Sequence, residues 1–378
     1  MNNITYHAAQ SPLDAIPAGI HCAQDYEMLA HRFMAHPVHE YIAGGSGRDC
    51  TVQANLDAYA HWSVVPRLLR DVTGGHTQLA MAGTSFAHPI FLAPVAFQRL
   101  AHVHGEMETA RAAQATESCL VASTLASVSM EETARVAGPQ RWFQLYMQPQ
   151  RNVTRDLLRR AEAAGYGAIV VTLDASVQAA SLRALRAEFL RPTDCIAVNL
   201  AGYNMSADAG APTAGSRIFQ GIMRQAPVWA DLEWLMTQTT LPIWVKGVLH
   251  RDDAVMLKDK GVAGLVVSNH GGRSLDGAPA SLHVLPAIRA AVGADFPLLL
   301  DGGIRSGSDV FKALALGANA VMIGRLQMYA LSIAGALGVA HMIQLLREEL
   351  ELCMAMAGCT TLKEIDRHAL VAANMPYA

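Results

Sequence analysis

From about Leu79 onward, short β-rich runs alternate with Ala-rich amphipathic stretches, and eight such runs can be counted. They are Pro89–Ala93, Leu120–Ser123, Trp142–Tyr146, Ala168–Leu173, Pro242–Lys246, Gly264–Ser268, Pro297–Leu300 and Ala320–Ile323. Helical patterns such as Val153–Ala164 and Gly307–Leu316 fill most of the intervals. Strand–helix alternation predicts parallel strands joined by right-handed crossovers. Periodicity alone does not separate an open doubly wound sheet from a closed barrel, but eight repeats favour closure. A (β/α)8 barrel takes about 250 residues, so a chain of 378 has room for one barrel with additions. The expected architecture is therefore α/β, one TIM-barrel domain over residues 1–378, with residues 1–78 as an N-terminal extension. Residues 1–60 read as helical: Asp25 to Ala43 has apolar residues at helical spacing and stops at Gly44-Gly45.

Roughly 40 residues separate Phe189 from Trp229, and the middle, Met205–Ser216, is rich in Gly, Ala, Ser, Asp and Thr. A connection of that length in a compact domain is usually a functional lid or a disordered segment. Following the fourth strand, residues 190–228 should lie over the C-terminal mouth, where barrel active sites sit.

The formal net charge of −3, with no basic stripe, argues against a nucleic-acid partner. Six scattered cysteines without a CxxC pair give little support to disulfides or a zinc site. Met1 to Ala18 lacks the pattern of a signal peptide, and no run of about 18 uninterrupted apolar residues suggests a membrane span. The expectation is a cytoplasmic protein without a membrane partner or a metal.

The C-terminal ends of the strands are unusually polar. Strand three ends Gln144-Leu145-Tyr146, strand four Thr172-Leu173-Asp174, and strand five reaches Lys246. Strand six runs into Ser268-Asn269-His270-Gly271-Gly272-Arg273, strand seven into Asp301-Gly302-Gly303-Ile304-Arg305, and strand eight into Gly324-Arg325. A lone polar strand end is more often a loop cap, but six on one face are hard to explain structurally. Glycines that let backbone N–H groups approach an anion, beside Arg305 and Arg325, read as a phosphate site. The bland alternative is that these glycines serve tight turns only. Histidine exchanges a proton near neutral pH, which makes His270 a candidate base. Arg273 can grip a carboxylate through its planar fork. Asp174 can fix the tautomer of His270 from its other ring nitrogen, and Lys246 can place a fixed positive charge beside an electron-rich cofactor.

At these residues the sequence resembles the FMN-dependent 2-hydroxy-acid oxidase and dehydrogenase family. The likeness runs from about Tyr41 to Gly358. It is carried by YIAGGSG at Tyr41–Gly47, WFQLY at Trp142–Tyr146, SNHGGRSLDGAPA at Ser268–Ala280 and DGGIRSGSDVFKALALGANAVMIGR at Asp301–Arg325. The resemblance implies FMN as cofactor. It puts Pro94, Val95 and Ala96 under the flavin, Ser123, Gln144 and Thr172 on its ring, and Lys246 at the N1–O2 edge. Ser268 falls near the ribityl chain, and Asp301, Gly302, Gly303, Arg305, Gly324 and Arg325 at ribityl and phosphate. It also implies His270 as base with Asp174 as its partner, Tyr41 and Arg273 as the carboxylate pair, and Tyr146 on the substrate hydroxyl. Oxygen or another acceptor would re-oxidise the flavin, and a homotetramer is expected. Unlike membrane-bound relatives, Ala201–Ser216 is neither apolar nor basic.

Two positions depart from the family. Counted without gaps from Thr172, Ser181 stands where a second active-site arginine is usual, and Arg183 lies two positions on. Losing a cation there should lower transition-state stabilisation, or the substrate is not a simple 2-hydroxy acid. Leu125 stands where some members carry an aromatic near the substrate tail. Oxidation of a small 2-hydroxy acid is the leading expectation. An altered FMN reaction, such as oxidation of a non-standard alcohol or an oxidative decarboxylation, is the first alternative, and a non-catalytic FMN-binding barrel the second.

Overall fold

The computed structural model describes residues 9–203 and 215–373. All eight runs form strands: β1 Ile90–Leu92, β2 Leu120–Ser123, β3 Arg141–Leu145, β4 Ile169–Thr172, β5 Ile243–Val248, β6 Gly264–Val267, β7 Leu298–Asp301 and β8 Ala320–Ile323. They close into a parallel barrel in chain order, with β8 pairing β1. The helices between them are α4 Glu106–Thr116, α5 Met130–Val136, α6 Arg151–Ala163, α7 Leu182–Arg186, α8 Trp229–Met236, α9 Arg251–Asp259, α10 Ser281–Val292 and α11 Gly307–Ala315, followed by α12 Arg325–Ala357. Local chemistry fixes several starts. Ser129 and Ser306 each accept a backbone N–H of the first turn and form capping boxes with Glu132 and Asp309.

The N-terminal extension departs from one reading of the sequence. Asp25 to Ala43 is two helices, α1 Asp25–Ala30 and α2 His36–Ala43, because a turn intervenes and Pro37 opens the second. α3 Cys50–Ala60 follows, and Trp62–Val64 then pairs antiparallel with Leu370–Ala372. Of the long connection after β4, residues 204–214 lie outside the described residues, which takes most of the Gly/Ala-rich stretch with them.

Side chains alternate across each strand. Outward-facing Ile, Leu and Val pack on the helices, while Phe91, Val121, Trp142, Val170, Trp244, Val266 and Leu299 fill the barrel interior. Phe86, on the hairpin Leu79–Met81/Thr84–Phe86, closes the lower end by packing 4.8 Å from Phe91. Trp142 and Trp244 lie 4.9 Å apart at the centre. α12 is 33 residues long and kinks at Ala334 and Gly335. By length and mean apolarity it could cross a membrane, although Gln327, Ser332 and His341 interrupt its apolar run, and it is packed inside the protein against α1, α4 and α11.

Trp244 needs a glycine opposite it: a Cβ at Gly264 would stand 2.3 Å from its ring. Gly264→Ala is therefore expected to destabilise the protein by about 1–3 kcal/mol, the usual range for overpacking. The check is a lowered midpoint in urea unfolding of the variant.

Candidate active site

Two residues beyond the apolar plug, the same inward face turns polar. Ser123 follows Val121, Gln144 follows Trp142, Thr172 follows Val170, Lys246 follows Trp244, Ser268 follows Val266 and Asp301 follows Leu299. All six are buried, and they bond one another. Ser123 donates to Gln144 Oε1 at 3.2 Å, and the Gln144 amide donates to Thr172 Oγ1 at 3.1 Å. Lys246 Nζ donates to Ser268 Oγ at 2.7 Å and pairs with Asp301 Oδ2 at 2.8 Å. Burial opposes the Lys246 charge, but Asp301 and Asp174 raise its pKa above that of an ordinary lysine, so it is a fixed cation.

After β6 the backbone enters a left-handed turn: φ is 60° at His270, 60° at Gly271 and 79° at Gly272. A side chain at positive φ costs of order 1 kcal/mol, and neighbours hold this one in place. His270 N donates to Ser268 Oγ at 3.0 Å, and Gly272 N donates to Asn269 Oδ1 at 3.0 Å. Asn269 exchanges hydrogen bonds of 2.9 and 2.8 Å with Asn55 of α3. Ser46 N donates to Gly272 O at 2.8 Å, and its hydroxyl donates to Arg273 O.

The turn places His270 Nδ1 2.8 Å from Asp174 Oδ1 and Nε2 3.5 Å from the Tyr146 hydroxyl. Burial pushes the Asp174 carboxyl up, but the charge and hydrogen bond of His270, with Lys246 beyond, outweigh it and hold the pKa below the ordinary value. An ionised Asp174 accepts only from Nδ1–H, which leaves the lone pair on Nε2. Burial, reinforced by the charge of Asp174, keeps the Tyr146 phenol protonated and able to donate.

Three arginines ring the other side. Arg273 Nη1 donates to the carbonyls of Tyr41 and Gly44 at 2.8 and 2.9 Å, and its guanidinium lies 4.8 Å from the Tyr41 ring centroid. Its Nε and Nη2 have no protein acceptor among the described residues. Arg325 donates to the carbonyls of Ile42, Ala43, Gly44 and Gly271. These arginines thus cap the C-terminal end of α2. Arg305 makes a forked pair with Glu27 of α1, at 2.6 and 3.0 Å.

Tyr41, Pro94, Val95, Ala96, Ser123, Gln144, Tyr146, Thr172, Lys246, His270, Arg273, Asp301, Gly302, Gly303, Arg305, Gly324 and Arg325 all line one cavity at the C-terminal mouth. Asp174 reaches it through His270. Ser268 does not line it: the side chain is fully buried and serves as a bolt between Lys246 and the His270 turn. Ser181 is not on the wall either. It caps α7 by accepting from Ala184 N, while Arg183 pairs with Glu40 at 2.7 Å. Of this loop's described residues, Gln178 lines the wall, and Phe97, Leu100 and Leu125 supply apolar lining.

FMN fits this cavity on three observations. Asp301 Oδ1 is buried without a partner, as a polyol hydroxyl would require. Burial, and then Arg273 and Arg305, push the Arg325 pKa down to about 10, with only carbonyls on its guanidinium, so the site favours a bound anion. A Cβ at Gly324 would meet nothing nearer than Ala93 at 4.0 Å and would stand in the cavity. The glycines of β7 have another reason: Cβ atoms at Gly302 and Gly303 would strike Ser281 and the Asn55 backbone, so packing against neighbouring elements already excludes side chains there.

A polar-floored barrel mouth with an anion-seeking arginine and a carboxylate-anchored histidine suits a phosphate-bearing cofactor and a proton-transfer reaction. The sequence matches the FMN-dependent dehydrogenase family model over residues 30–372, and the chain belongs to that family. It is 62% identical to an L-lactate oxidase of Alicycliphilus denitrificans over 360 residues, covering 95% of this chain and 99% of that protein. It is 39% identical to a glycolate oxidase of Spinacia oleracea over 349 residues, covering 92% and 95%. Among solved structures, mandelate oxidase with (S)-2-phenylpropionate superposes with a TM-score of 0.83 at 40% identity, covering 93% of this chain and 97% of that one. FMN is the cofactor, and the enzyme belongs with the FMN-dependent α-hydroxy-acid oxidoreductases.

The depressed Asp174 pKa sets a pH dependence. A carboxyl more acidic when folded stabilises the protein above its unfolded pKa of about 3.9. That contribution is lost as pH falls from there through the folded value. Asp174→Asn should therefore unfold with a shallower loss of stability below about pH 4, measured as thermal midpoints across an acid series. A wild-type slope retained by the variant would remove Asp174 as its source.

Proposed function

We propose that the chain oxidises a small 2-hydroxy acid, L-lactate first, to the corresponding 2-oxo acid, with oxygen as the acceptor. The observation that carries this reading is the pairing within one cavity of an Asp174-anchored His270 and the open edge of Arg273. The names of the relatives support the substrate class and the acceptor.

In this reading Arg273 binds the substrate carboxylate through Nε and Nη2, with Tyr41 beside it. The Tyr146 phenol donates to the substrate oxygen. Lys246, Ser123, Gln144, Thr172 and the Pro94–Ala96 turn would hold the flavin ring, while Asp301, Arg305, Gly324 and Arg325 would hold its ribityl phosphate. Bound FMN would supply the two-electron acceptor, with oxygen as the oxidant consumed in turnover. Oxidation releases two protons and two electrons from the substrate. His270 Nε2 takes one of the protons, the two electrons and the other proton would pass to bound FMN, and Asp174 stabilises the imidazolium that forms. Lys246 keeps positive charge at the polar floor, where reduction adds negative charge. The non-standard substrate suggested by Ser181 has weaker support, because that residue stands off the cavity wall.

His270→Gln should retain yellow, stoichiometric FMN and lower turnover of L-lactate by roughly two to four orders of magnitude, the scale of positioned acid–base catalysis. Turnover at the wild-type rate would remove His270 from the proton-transfer role.

A further inference from the structure

We propose that Phe189, which does not line the cavity, is a positioning residue that holds Tyr41 in place for substrate binding. The Phe189 ring stacks on Tyr41 with centroids 4.2 Å apart and planes inclined by 12°. A ring stacked that closely covers one face of Tyr41, so the Arg273 guanidinium, 4.8 Å from the same ring, occupies the other. Tyr41 is thus clamped between a side chain of the loop after β4 and one of the catalytic turn.

The chain delivers Phe189 deliberately. Arg183 of α7 pairs with Glu40, next to Tyr41, and the bridge between Gly47 and Ser181 ties the start of α7 to the same segment. α7 then ends in a left-handed residue, Glu188, with φ 54°. This turn lets Phe189 N donate back to Ala184 O at 3.0 Å and directs the chain toward Tyr41. Two residues on, the Arg191 guanidinium lies 4.4 Å from the ring of Phe97, on another part of the cavity wall. The segment is therefore pinned at two aromatic residues that shape the substrate chamber.

Flat aromatic stacking restricts a ring in a way that an aliphatic side chain of similar bulk does not. Without it, Tyr41 gains freedom that substrate binding must remove. The loss falls on affinity for the carboxylate and not on proton transfer, because Tyr41 is separate from the His270–Asp174 pair. The proposal rests on the reading of Tyr41 and Arg273 as the carboxylate pair.

The experiment compares wild-type, Phe189→Leu and Phe189→Tyr holoenzymes. The readouts are KM and kcat for L-lactate, and Kd for pyruvate from the perturbation of flavin absorbance. Phe189→Leu should raise KM and Kd by about tenfold, leave kcat within about twofold and retain full FMN, and Phe189→Tyr should bring both constants back to within about twofold of wild type. Unchanged KM and Kd in Phe189→Leu, a loss confined to kcat, or identical behaviour of the Leu and Tyr variants would overturn the proposal. If Phe189→Leu fails to fold, Arg191→Gln tests the same segment from its other anchor: raised KM and Kd support the proposal, and unchanged values overturn it. A wild-type enzyme that binds neither L-lactate nor pyruvate would instead overturn the lactate reading itself.

Discussion

A non-glycine residue keeps a left-handed backbone only where its surroundings over-determine it, and His270 is such a residue, with φ 60°. The turn it opens aims the imidazole at Asp174 and, three residues on, Arg273 at Tyr41. Ser268, just past β6, accepts from His270 N, but the other groups that hold the turn from outside come from distant parts of the chain. Asn55 and Ser46 come from the N-terminal segment, and Arg325 reaches the Gly271 carbonyl from the end of β8. The N-terminal segment is thus part of what holds His270 and Arg273 at the cavity.

The barrel separates stability from chemistry by one step of the strand period. Trp142, Trp244 and Phe91 close the interior with well-packed apolar bulk. Two residues further along, the same strands present amides, hydroxyls, a lysine and a carboxylate. Buried polar groups are costly unless partnered, and here they partner one another, with Asp301 Oδ1 left over for a ligand. The rigid plug below keeps that polar floor in register.

Much of this was legible in the sequence, because runs of Ile, Val and Leu ending in Gln144, Asp174, Lys246 or Asp301 state both the strand and its functional end. What escaped depends on contacts between distant residues. Phe189 meets Tyr41, and Arg305 meets Glu27 across 278 positions, and no local pattern announces either pair. The break between α1 and α2 was hidden because apolar spacing continued through it, although Pro37 marks the restart. Counting without gaps put Ser181 at the site of a missing arginine, whereas the loop turns so that Gln178 lines the cavity and Ser181 caps α7. The resemblance puts Ser268 near the ribityl chain and Gly302 and Gly303 at ribityl and phosphate, and both glycines line the cavity. Ser268 is buried as an internal support, and side chains at the glycines are excluded by protein packing.

The most direct measurement is an anaerobic titration of the FMN-loaded protein with L-lactate, followed by admission of air. The expected result is bleaching of the oxidised flavin band with one pyruvate formed per flavin, and return of the yellow colour with hydrogen peroxide once oxygen enters. A flavin that stays oxidised under excess L-lactate, glycolate and mandelate would contradict the assignment of this cavity to 2-hydroxy-acid oxidation.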